Sequence, residues 1–206
     1  MKKYGRTYHL KNSPSVASDD KVLQNLSALS GADEVVFTEK MDGENTTIHS
    51  SGCHARSIDS GYQASRDWLK AFAAGISPSL ASNERIIGEY LYARHSVEYA
   101  ALPSYFLGFA WIMDNVFQNW DATLQRFSEL GISSVPVLCR GKFDQKTTEE
   151  VIASLDSSRQ EGFVVRTIGA YRENDMATHM AKYVRANHVK SEKHWMHQEI
   201  IKNKLA

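Results

Sequence analysis

Short apolar stretches, each bounded by Gly, Asp, Asn or Ser, recur along most of the chain. Where these stretches are rich in β-branched and aromatic residues, they predict strands. The predicted strands are 34–38, 46–49, 85–92, 106–113 and 163–168. The first two flank the dipeptide Asp42-Gly43, which is typical of a hairpin turn.

Apolar residues that recur at intervals of three and four predict helices over 65–74, 116–130 and 147–155. Gly131 should end the second helix, and Thr147 with Glu150 should form a capping box at the start of the third. Strands outnumber helices and do not alternate with them regularly. This order favours an α+β domain with largely antiparallel sheets over a doubly wound parallel fold.

The chain has 206 residues, of which 42% are hydrophobic, and this predicts one globular domain over residues 1–206. No stretch approaches the roughly 18 uninterrupted apolar residues of a membrane span, and residues 1–6 lack the apolar run of a signal peptide. We therefore expect a cytoplasmic location and no membrane partner. Cys53 and Cys139 are too few for a disulfide framework and are interpreted as reduced thiols.

Lysine and arginine together equal aspartate and glutamate at 24 each, so the overall charge gives no support for nucleic-acid binding. A local excess of basic residues exists near the C-terminus, at Lys182, Arg185, Lys190, Lys193, Lys202 and Lys204. We predict that residues 186–206 form a basic, helical tail that contacts a polyanion. The alternative is a solvated helix with no ligand.

Residues 38–45, Thr-Glu-Lys-Met-Asp-Gly-Glu-Asn, place Lys40 where a predicted strand enters a turn among several carboxylates. A lysine can attack an electrophile only as the neutral amine, so desolvation or a nearby cation such as a bound metal must lower its pKa. The surrounding acids alone would raise that pKa. Taken alone, this segment also fits an ordinary hairpin turn beside a solvated lysine.

Three further segments follow in order: Ile-Gly-Glu-Tyr at 87–90, Phe-Leu-Gly-Phe-Ala at 106–110 and Glu-Gly-Phe-Val-Val-Arg at 161–166. With residues 38–45, they resemble motif I, motif III, the aromatic motif after it and motif IV of the covalent nucleotidyltransferases, which include polynucleotide ligases and messenger-RNA capping enzymes. The Thr-Glu-Lys lead and Asn45 most resemble RNA ligases of the T4 RNA ligase 2 type. The resemblance implies the ligase adenylation-domain fold, with the active site in a cleft between sheets.

Two more segments resemble this family in part. Residues 180–185, Met-Ala-Lys-Tyr-Val-Arg, supply Lys182 of motif V, but Val184 stands where the family usually has a second lysine. Arg185 is a candidate replacement for that cation. Residues 54–59 resemble the arginine-bearing segment between motifs I and III, which identifies Arg56 as a candidate.

The resemblance implies an ATP-binding set of Glu39, Lys40, Asn45, Arg56, Glu89, Phe109 and Lys182. Glu89 would accept hydrogen bonds from the ribose hydroxyls, and Phe109 would stack on the adenine. Phe106 and Trp111 compete for the stacking role, and Phe109 taken singly also fits a core aromatic. Glu39 would lie near the adenine edge, and Asn45 near the ribose or the incoming RNA end.

Metal and phosphate contacts complete the implied site. Glu161 would hold Mg²⁺ or Mn²⁺, because both ions prefer oxygen ligands. Lys40 and Lys182 are the implied catalytic residues, with Lys182 neutralising charge on the α-phosphate. The candidate RNA-binding residues are Arg185, Lys190 and Lys193.

The implied reaction has three steps: Lys40 takes AMP from ATP, AMP moves to an RNA 5′-phosphate, and an RNA 3′-hydroxyl displaces AMP. RNA ends are the implied partners, and an end-processing kinase or phosphatase is a candidate partner. One alternative is an ATP-dependent DNA ligase or repair nucleotidyltransferase, although about twenty residues after Arg185 are too few for an appended five-stranded barrel. Another alternative is a non-catalytic nucleic-acid-binding module on the same fold.

Overall fold

A computed structural model describes residues 1–57, 63–186 and 200–206. Its strands form two sheets. The first sheet has the order β1-β12-β10-β2-β9, built from Tyr8–His9 (β1), Met180–Val184 (β12), Gly162–Thr167 (β10), Val35–Glu39 (β2) and Val137–Gly141 (β9). The second has the order β11-β7-β6-β5-β3-β4, built from Tyr171–Arg172 (β11), Val116–Phe117 (β7), Phe106–Met113 (β6), Glu84–Tyr90 (β5), Glu44–His49 (β3) and Gly52–Ala55 (β4).

Neighbouring strands within these two orders are antiparallel except β1 with β12, and a short strand Ser133–Ser134 (β8) adds a parallel pairing to β6. The α-helices are Ser27–Ser30 (α1), Asp67–Ile76 (α2), Trp120–Leu130 (α3), Gln145–Ser154 (α4) and Met176–His179 (α5). Three 3₁₀ turns cover Ala64–Arg66, Ser77–Ser79 and Glu173–Asp175. The predicted α+β fold with largely antiparallel sheets is confirmed.

The alternation of apolar residues along the strands divides the core into layers. In β2, Phe37 points to the outer face of the first sheet, where it joins Leu29 of α1 and Val151 of α4. Helices α2 and α3 cover the outer face of the second sheet in the same way. Val36 and Leu107 lie between the two sheets, one from each. The sheets therefore pack face to face, with helices on both outer sides.

All three predicted helices begin elsewhere than the sequence indicated: α2 at Asp67, α3 at Trp120 and α4 at Gln145. Residues 116 and 117 pair with β6 as a strand, because Asp114 (φ 52°) and Asn115 (φ 61°) form a tight turn in which both residues have positive φ. Helix α3 therefore starts after Asn119, whose side chain accepts from the backbone N–H of Ala122 at 2.8 Å. Gly131, with φ 68°, ends it as predicted.

The predicted capping box of α4 is wrong. Asp144 is the N-cap, and its carboxylate accepts from the backbone N–H of Thr147 at 2.8 Å. An aspartate that precedes a helix competes well with a threonine for this position, and here it starts the helix two residues before Thr147.

Residues 200–206 are extended and are not part of a helix. Lys202 forms a bridge with Ala93, and Leu205 forms one with Leu102. The remainder of the predicted helical tail, 187–199, lies outside the part of the chain that the model describes. Among the helices in the described ranges, none is long and apolar enough to cross a membrane.

Candidate active site

A cavity of about 370 Å³ opens between the two sheets, within the size range of small-molecule sites. Residues far apart in the sequence, from Tyr4 to Lys182, meet there. Its lining includes all seven residues of the predicted ATP-binding set: Glu39, Lys40, Asn45, Arg56, Glu89, Phe109 and Lys182. The fold therefore brings the sequence-predicted residues to one place.

Lys40 follows β2 directly and is fixed by β10. Its backbone N–H donates to the carbonyl of Gly162 at 2.9 Å, and its Nζ lies 2.5 Å from Oε2 of Glu161. A Cβ at residue 162 would lie only 2.0 Å from the carbonyl oxygen of Tyr183, so only glycine allows β10 to approach β12 here. This close approach places Glu161 against the lysine.

The charges around Lys40 are strongly coupled. Burial lowers the pKa of Lys40, but Glu161, Glu89 and Asp42 outweigh this effect and hold the pKa above its ordinary value. The sequence-based expectation that the neighbouring acids raise this pKa agrees with this direction. In the free protein Lys40 is therefore an ammonium, which cannot attack phosphorus.

The same coupling acts on Glu89. Burial raises the pKa of Glu89 to about 8; the charge of Lys40 opposes this rise, and Glu161 and Asp42 add to it. Three carboxylates thus share the neighbourhood of one ammonium. A divalent cation at this point would relieve the repulsion between the carboxylates.

Asp42 and Gly43 attach this segment to the loop that follows β5 and to the end of β5. Oδ2 of Asp42 accepts from the backbone N–H of Ser96 (2.8 Å), the hydroxyl of Ser96 (2.6 Å) and the backbone N–H of Val97 (2.8 Å). The backbone N–H of Asp42 donates to the hydroxyl of Tyr99 at 2.9 Å. A Cβ at Gly43 would lie 2.5 Å from the carbonyl oxygen of Tyr90, so the motif needs glycine here.

Phe109 lines the cavity at the point where the register between β5 and β6 shifts. Ile87 pairs with Ala110 and Gly88 with Gly108, which leaves Phe109 as the extra residue of a bulge. Phe109 shares the inter-sheet face with Leu107, two residues earlier, and the bulge places Ala110 on that face as well. Phe106 and Trp111 pack instead on the outer face, in the cluster beneath α2 and α3. Only Phe109 of the three aromatic candidates lines the cavity.

Arg166 of β10 contacts both the backbone and the ring of Phe109. Its buried guanidinium donates to the carbonyl oxygen of Phe109 and, at 3.2 Å, to the hydroxyl of Thr38. It also lies 5.7 Å from the centroid of the Phe109 ring, within the range of a cation–π contact. Arg166 belongs to the motif IV segment, but the sequence did not indicate this role.

Three further residues of the predicted ATP-binding set line the cavity: Glu39, Asn45 and Arg56. Gln160 donates to Oε2 of Glu39 at 2.9 Å, and burial raises the pKa of Glu39. The backbone N–H of Arg56 donates to the carbonyl of Asn45 at 2.9 Å. The side-chain Nε of Arg56 donates to the carbonyl of Tyr4 at 3.4 Å. These three residues line the cavity without forming a compact cluster.

Lys182 lies on β12 opposite Val164 of β10. Its Nζ is 3.6 Å from Oδ1 of Asp20, and Oδ2 of Asp20 is 3.3 Å from Nε2 of the buried His9. The His9 ring in turn lies 2.8 Å from the hydroxyl of Ser13 through Nδ1. A polar chain from the N-terminal residues thus reaches Lys182. The amino-acid pattern does not predict this chain, because β1 is only two residues long.

Arg185 does not lie in the cavity. Its Nε donates to the carbonyl of Gln160 at 2.8 Å, which directs the guanidinium to the turn before β10. The role of Arg185 as the second motif V cation stays a prediction. Lys190 and Lys193 lie outside the described residues, so their role in RNA binding stays a prediction.

A family model described as RNA ligase matches residues 33–184, which is most of the chain. The chain belongs to the RNA ligase family. This membership confirms the predicted family. No curated protein matches the sequence.

Solved structures of other ligases share the fold of this RNA ligase family member. An archaeal ATP-dependent RNA ligase has a TM-score of 0.60 at 15% identity, over 90% of this chain and 48% of that chain. An apo mutant of the Naegleria gruberi RNA ligase has a TM-score of 0.59 at 12% identity, over 90% and 56%. A provisionally assigned ATP-dependent DNA ligase from Aquifex aeolicus has 0.51 at 16% identity, over 78% and 48%. The chain spans about half the length of these structures.

The residues of this RNA ligase family site fit a divalent metal that is shared with a substrate. Within residues 1–57, 63–186 and 200–206, no group of three or more His, Cys, Asp or Glu side chains is arranged to hold a metal ion alone. Mg²⁺ usually takes only one or two protein carboxylates and completes its shell with water and phosphate oxygens. The crowded carboxylates of Glu161 and Glu89 match that kind of site.

Proposed function

We propose that this chain is the adenylation domain of an ATP-dependent RNA ligase, with Lys40 as the residue that carries AMP. The observation that supports this most strongly is the contact of Lys40 Nζ with Glu161 inside a cavity that all the predicted ATP-binding residues line. Family membership supports the substrate class. One of the fold neighbours, a Naegleria gruberi RNA ligase mutant, contains ATP and Mn (TM-score 0.50, 12% identity, 87% of this chain and 58% of that chain).

In the first step, the Nζ of Lys40 attacks the α-phosphorus of ATP. A nitrogen–phosphorus bond forms, the bond to the leaving pyrophosphate breaks, and the proton of the lysine passes to solvent. Glu161 is the residue that would hold Mg²⁺ or Mn²⁺, whose positive charge would offset that of the phosphates. When Glu161 binds the metal, its negative charge no longer raises the pKa of Lys40. ATP loading would thereby convert the ammonium into a nucleophile.

The remaining cavity residues would position the nucleotide. Phe109, fixed by Arg166, offers a ring face for the adenine, and the carboxylate of Glu89 would accept hydrogen bonds from the ribose. Glu39 would lie at the adenine edge. Lys182 would neutralise the α-phosphate as charge develops on it. Asn45 and Arg56 would contact the sugar and phosphates or the RNA end.

In the later steps, AMP would pass from Lys40 to an RNA 5′-phosphate, and an RNA 3′-hydroxyl would displace it and seal the strand. RNA ends are the proposed partners, and an end-processing kinase or phosphatase remains a candidate. The proposed location is cytoplasmic. Lys190 and Lys193 are proposed to contact RNA together with Arg185.

A labelling experiment tests the proposal. The purified protein is incubated with ATP labelled at the α-phosphate and with Mg²⁺ or Mn²⁺, and is then denatured. We expect label on the protein, and peptide mapping should assign it to Lys40. Absence of label with every metal tried would refute the proposal and favour the non-catalytic binding module.

The alternative of a DNA ligase is tested on nicked duplexes. The fold likeness to the Aquifex aeolicus protein concerns the fold alone, at 16% identity. Four nicks with RNA or DNA on either side separate the substrates. Sealing that requires RNA at the 3′-hydroxyl side supports the RNA ligase, and equal sealing of an all-DNA nick supports the alternative.

A further inference from the structure

Residues 4–7 form one wall of the cavity, although they lie outside the family match over 33–184. Strand β1 pairs with β12, with His9 beside Lys182, and this pairing carries the preceding residues past the motif V strand. Thr7 contacts the sulfur of Met180 at 3.6 Å, and Tyr4 is buried between the sheets. The N-terminal segment therefore belongs to the site.

Motif V supplies only one cation to this cavity. Val184, at the position where a second lysine would stand, is 5% exposed and does not line the cavity. Arg185, the next basic residue, donates to the carbonyl of Gln160. A positive charge for a second phosphate contact must therefore come from another element.

The other cations of the cavity already have defined partners. Lys40 contacts Glu161, and Lys182 lies near Asp20. Arg56, which also lines the cavity, donates from its Nε to the carbonyl of Tyr4 at 3.4 Å. Arg166 is buried beneath Phe109. These contacts hold each side chain at its own part of the site.

Arg6 differs from these in its exposure and in the weakness of its ion pair. Its side chain is 43% exposed, and its Nη1 donates to the carbonyl of Asp19 at 2.7 Å. The carboxylate of Asp19 is 3.6 Å away and 73% exposed, so the ion pair is solvent-screened and weak. Among the residues that the model describes, the polar contacts to Arg6 all go to Nη1.

We infer that Arg6 is the second phosphate-binding cation of the adenylylation step, acting in place of the missing motif V lysine. A guanidinium suits this role, because its planar donors match phosphate oxygens in pairs. The contact to the Asp19 carbonyl would hold the side chain at the cavity wall while other donors face the ATP phosphates. This inference rests on the proposed function, since it needs adenylylation of Lys40.

The test compares Arg6→Ala and Arg6→Lys with Arg172→Ala, a matched exposed arginine on β11 that does not line the cavity. We expect Arg6→Ala to lower the rate of adduct formation at limiting ATP by roughly tenfold or more, as for loss of one charged hydrogen bond. Arg6→Lys should retain part of the rate, and Arg172→Ala should stay within about twofold of the wild type. A wild-type rate in Arg6→Ala would overturn the inference.

Two further measurements separate a phosphate contact from a structural role. Added methylguanidinium should restore part of the rate of Arg6→Ala and leave Arg172→Ala unchanged, whereas a merely structural defect would not respond. Sealing of RNA that already carries AMP needs no ATP phosphates, so Arg6→Ala should perform it normally. If only this sealing fell, Arg6 would serve RNA instead and the assignment would be wrong. If the wild type forms no adduct, the proposed function itself fails.

Discussion

Lys40 and Phe109 line the same cavity, but they are held in place by different means. Lys40 is held by charge: Glu161 contacts its ammonium, and Glu89 and Asp42 add to the field around it. Phe109 is held by packing between Tyr4 and the buried Arg166, and by a bulge in β6. The lysine end should therefore respond to pH, metal and single charge changes, while the phenylalanine end should respond to loss of volume.

The largest effect is expected at the lysine itself. Lys40→Ala and Lys40→Arg should both abolish the covalent adduct, because alanine has no nucleophile and a guanidinium stays protonated. Labelling with ATP measures the adduct, and circular dichroism checks that the variants fold. Lys146→Ala, on an 85% exposed side chain of α4, is the matched control. Adduct in either Lys40 variant would place the nucleophile elsewhere.

The next effect concerns the partner of that lysine. Glu161→Ala should slow metal-dependent adduct formation on the order of a hundredfold, the size expected when one electrostatic contributor to a transition state is lost. Its melting temperature should change far less. The rate of adduct formation, measured over a range of Mg²⁺ and ATP concentrations, separates a defect in charge balance from a defect in nucleotide binding. Full recovery at high ATP would show that Glu161 serves nucleotide binding and not charge balance.

At the other end of the cavity, Phe109→Ala should raise the KM for ATP by roughly tenfold, as for loss of one stacked base. It should also lower the free energy of unfolding by about 2 kcal/mol, less than the ~3–5 kcal/mol of a fully buried phenylalanine. Phe109→Leu is the control, because it keeps most of the volume and loses the ring. A KM that stays at the wild-type value in both variants would assign adenine stacking to another residue.

A smaller effect is expected on the stability of the protein without ATP, which should depend on pH through Glu89. The pKa of Glu89 is about 8 in the fold and ordinarily 4.5, so the unfolded chain loses this proton first as pH rises. The stability contributed by protonated Glu89 is complete below pH 4.5 and is lost progressively up to about pH 8. Glu89→Gln should therefore gain stability relative to the wild type over this interval. Thermal melts without ATP measure the difference, and a gap that does not change with pH would contradict the coupling.

The smallest effect on nucleotide chemistry is expected outside the cavity. Neutralising Lys190 and Lys193 together should leave adduct formation nearly unchanged and weaken RNA binding. The slope of log affinity against log salt should fall by roughly one to two units if both lysines contact phosphate. Binding measured over a salt series gives that slope. An unchanged slope would place the RNA path near Arg6, Lys11 and Arg56 instead.

Local alternation and motif order explain what the sequence could predict. The strand over 106–113 has the predicted bounds, because its long apolar run ends at the Asp-Asn turn. The seven ATP-binding candidates converge on one cavity, since each belongs to a motif with a recognisable local pattern. Such patterns need no knowledge of tertiary contacts.

The parts that were missed depend on contacts between distant residues. Alternation along β6 gives no sign of the bulge that brings Ala110 to the same face as Phe109, because the bulge arises from pairing with Gly88 of β5. The N-terminal wall was missed since β1 is too short to show a period. Asp144 caps α4 in competition with Thr147, and the sequence pattern alone favoured the wrong one of the two.

The contacts of Asn203 affect how truncation experiments should be interpreted. Its buried side chain accepts from the backbone N–H of Tyr99 at 2.9 Å and donates to the carbonyl of Leu91 at 2.8 Å. The hydroxyl of Tyr99 in turn meets the backbone of Asp42, two residues from the nucleophile. Deleting residues 200–206 would therefore remove the contacts that hold Tyr99, and with it the backbone of Asp42, in place. A shortened protein that fails to seal RNA would report this internal loss and could not be taken as a map of the RNA-binding surface.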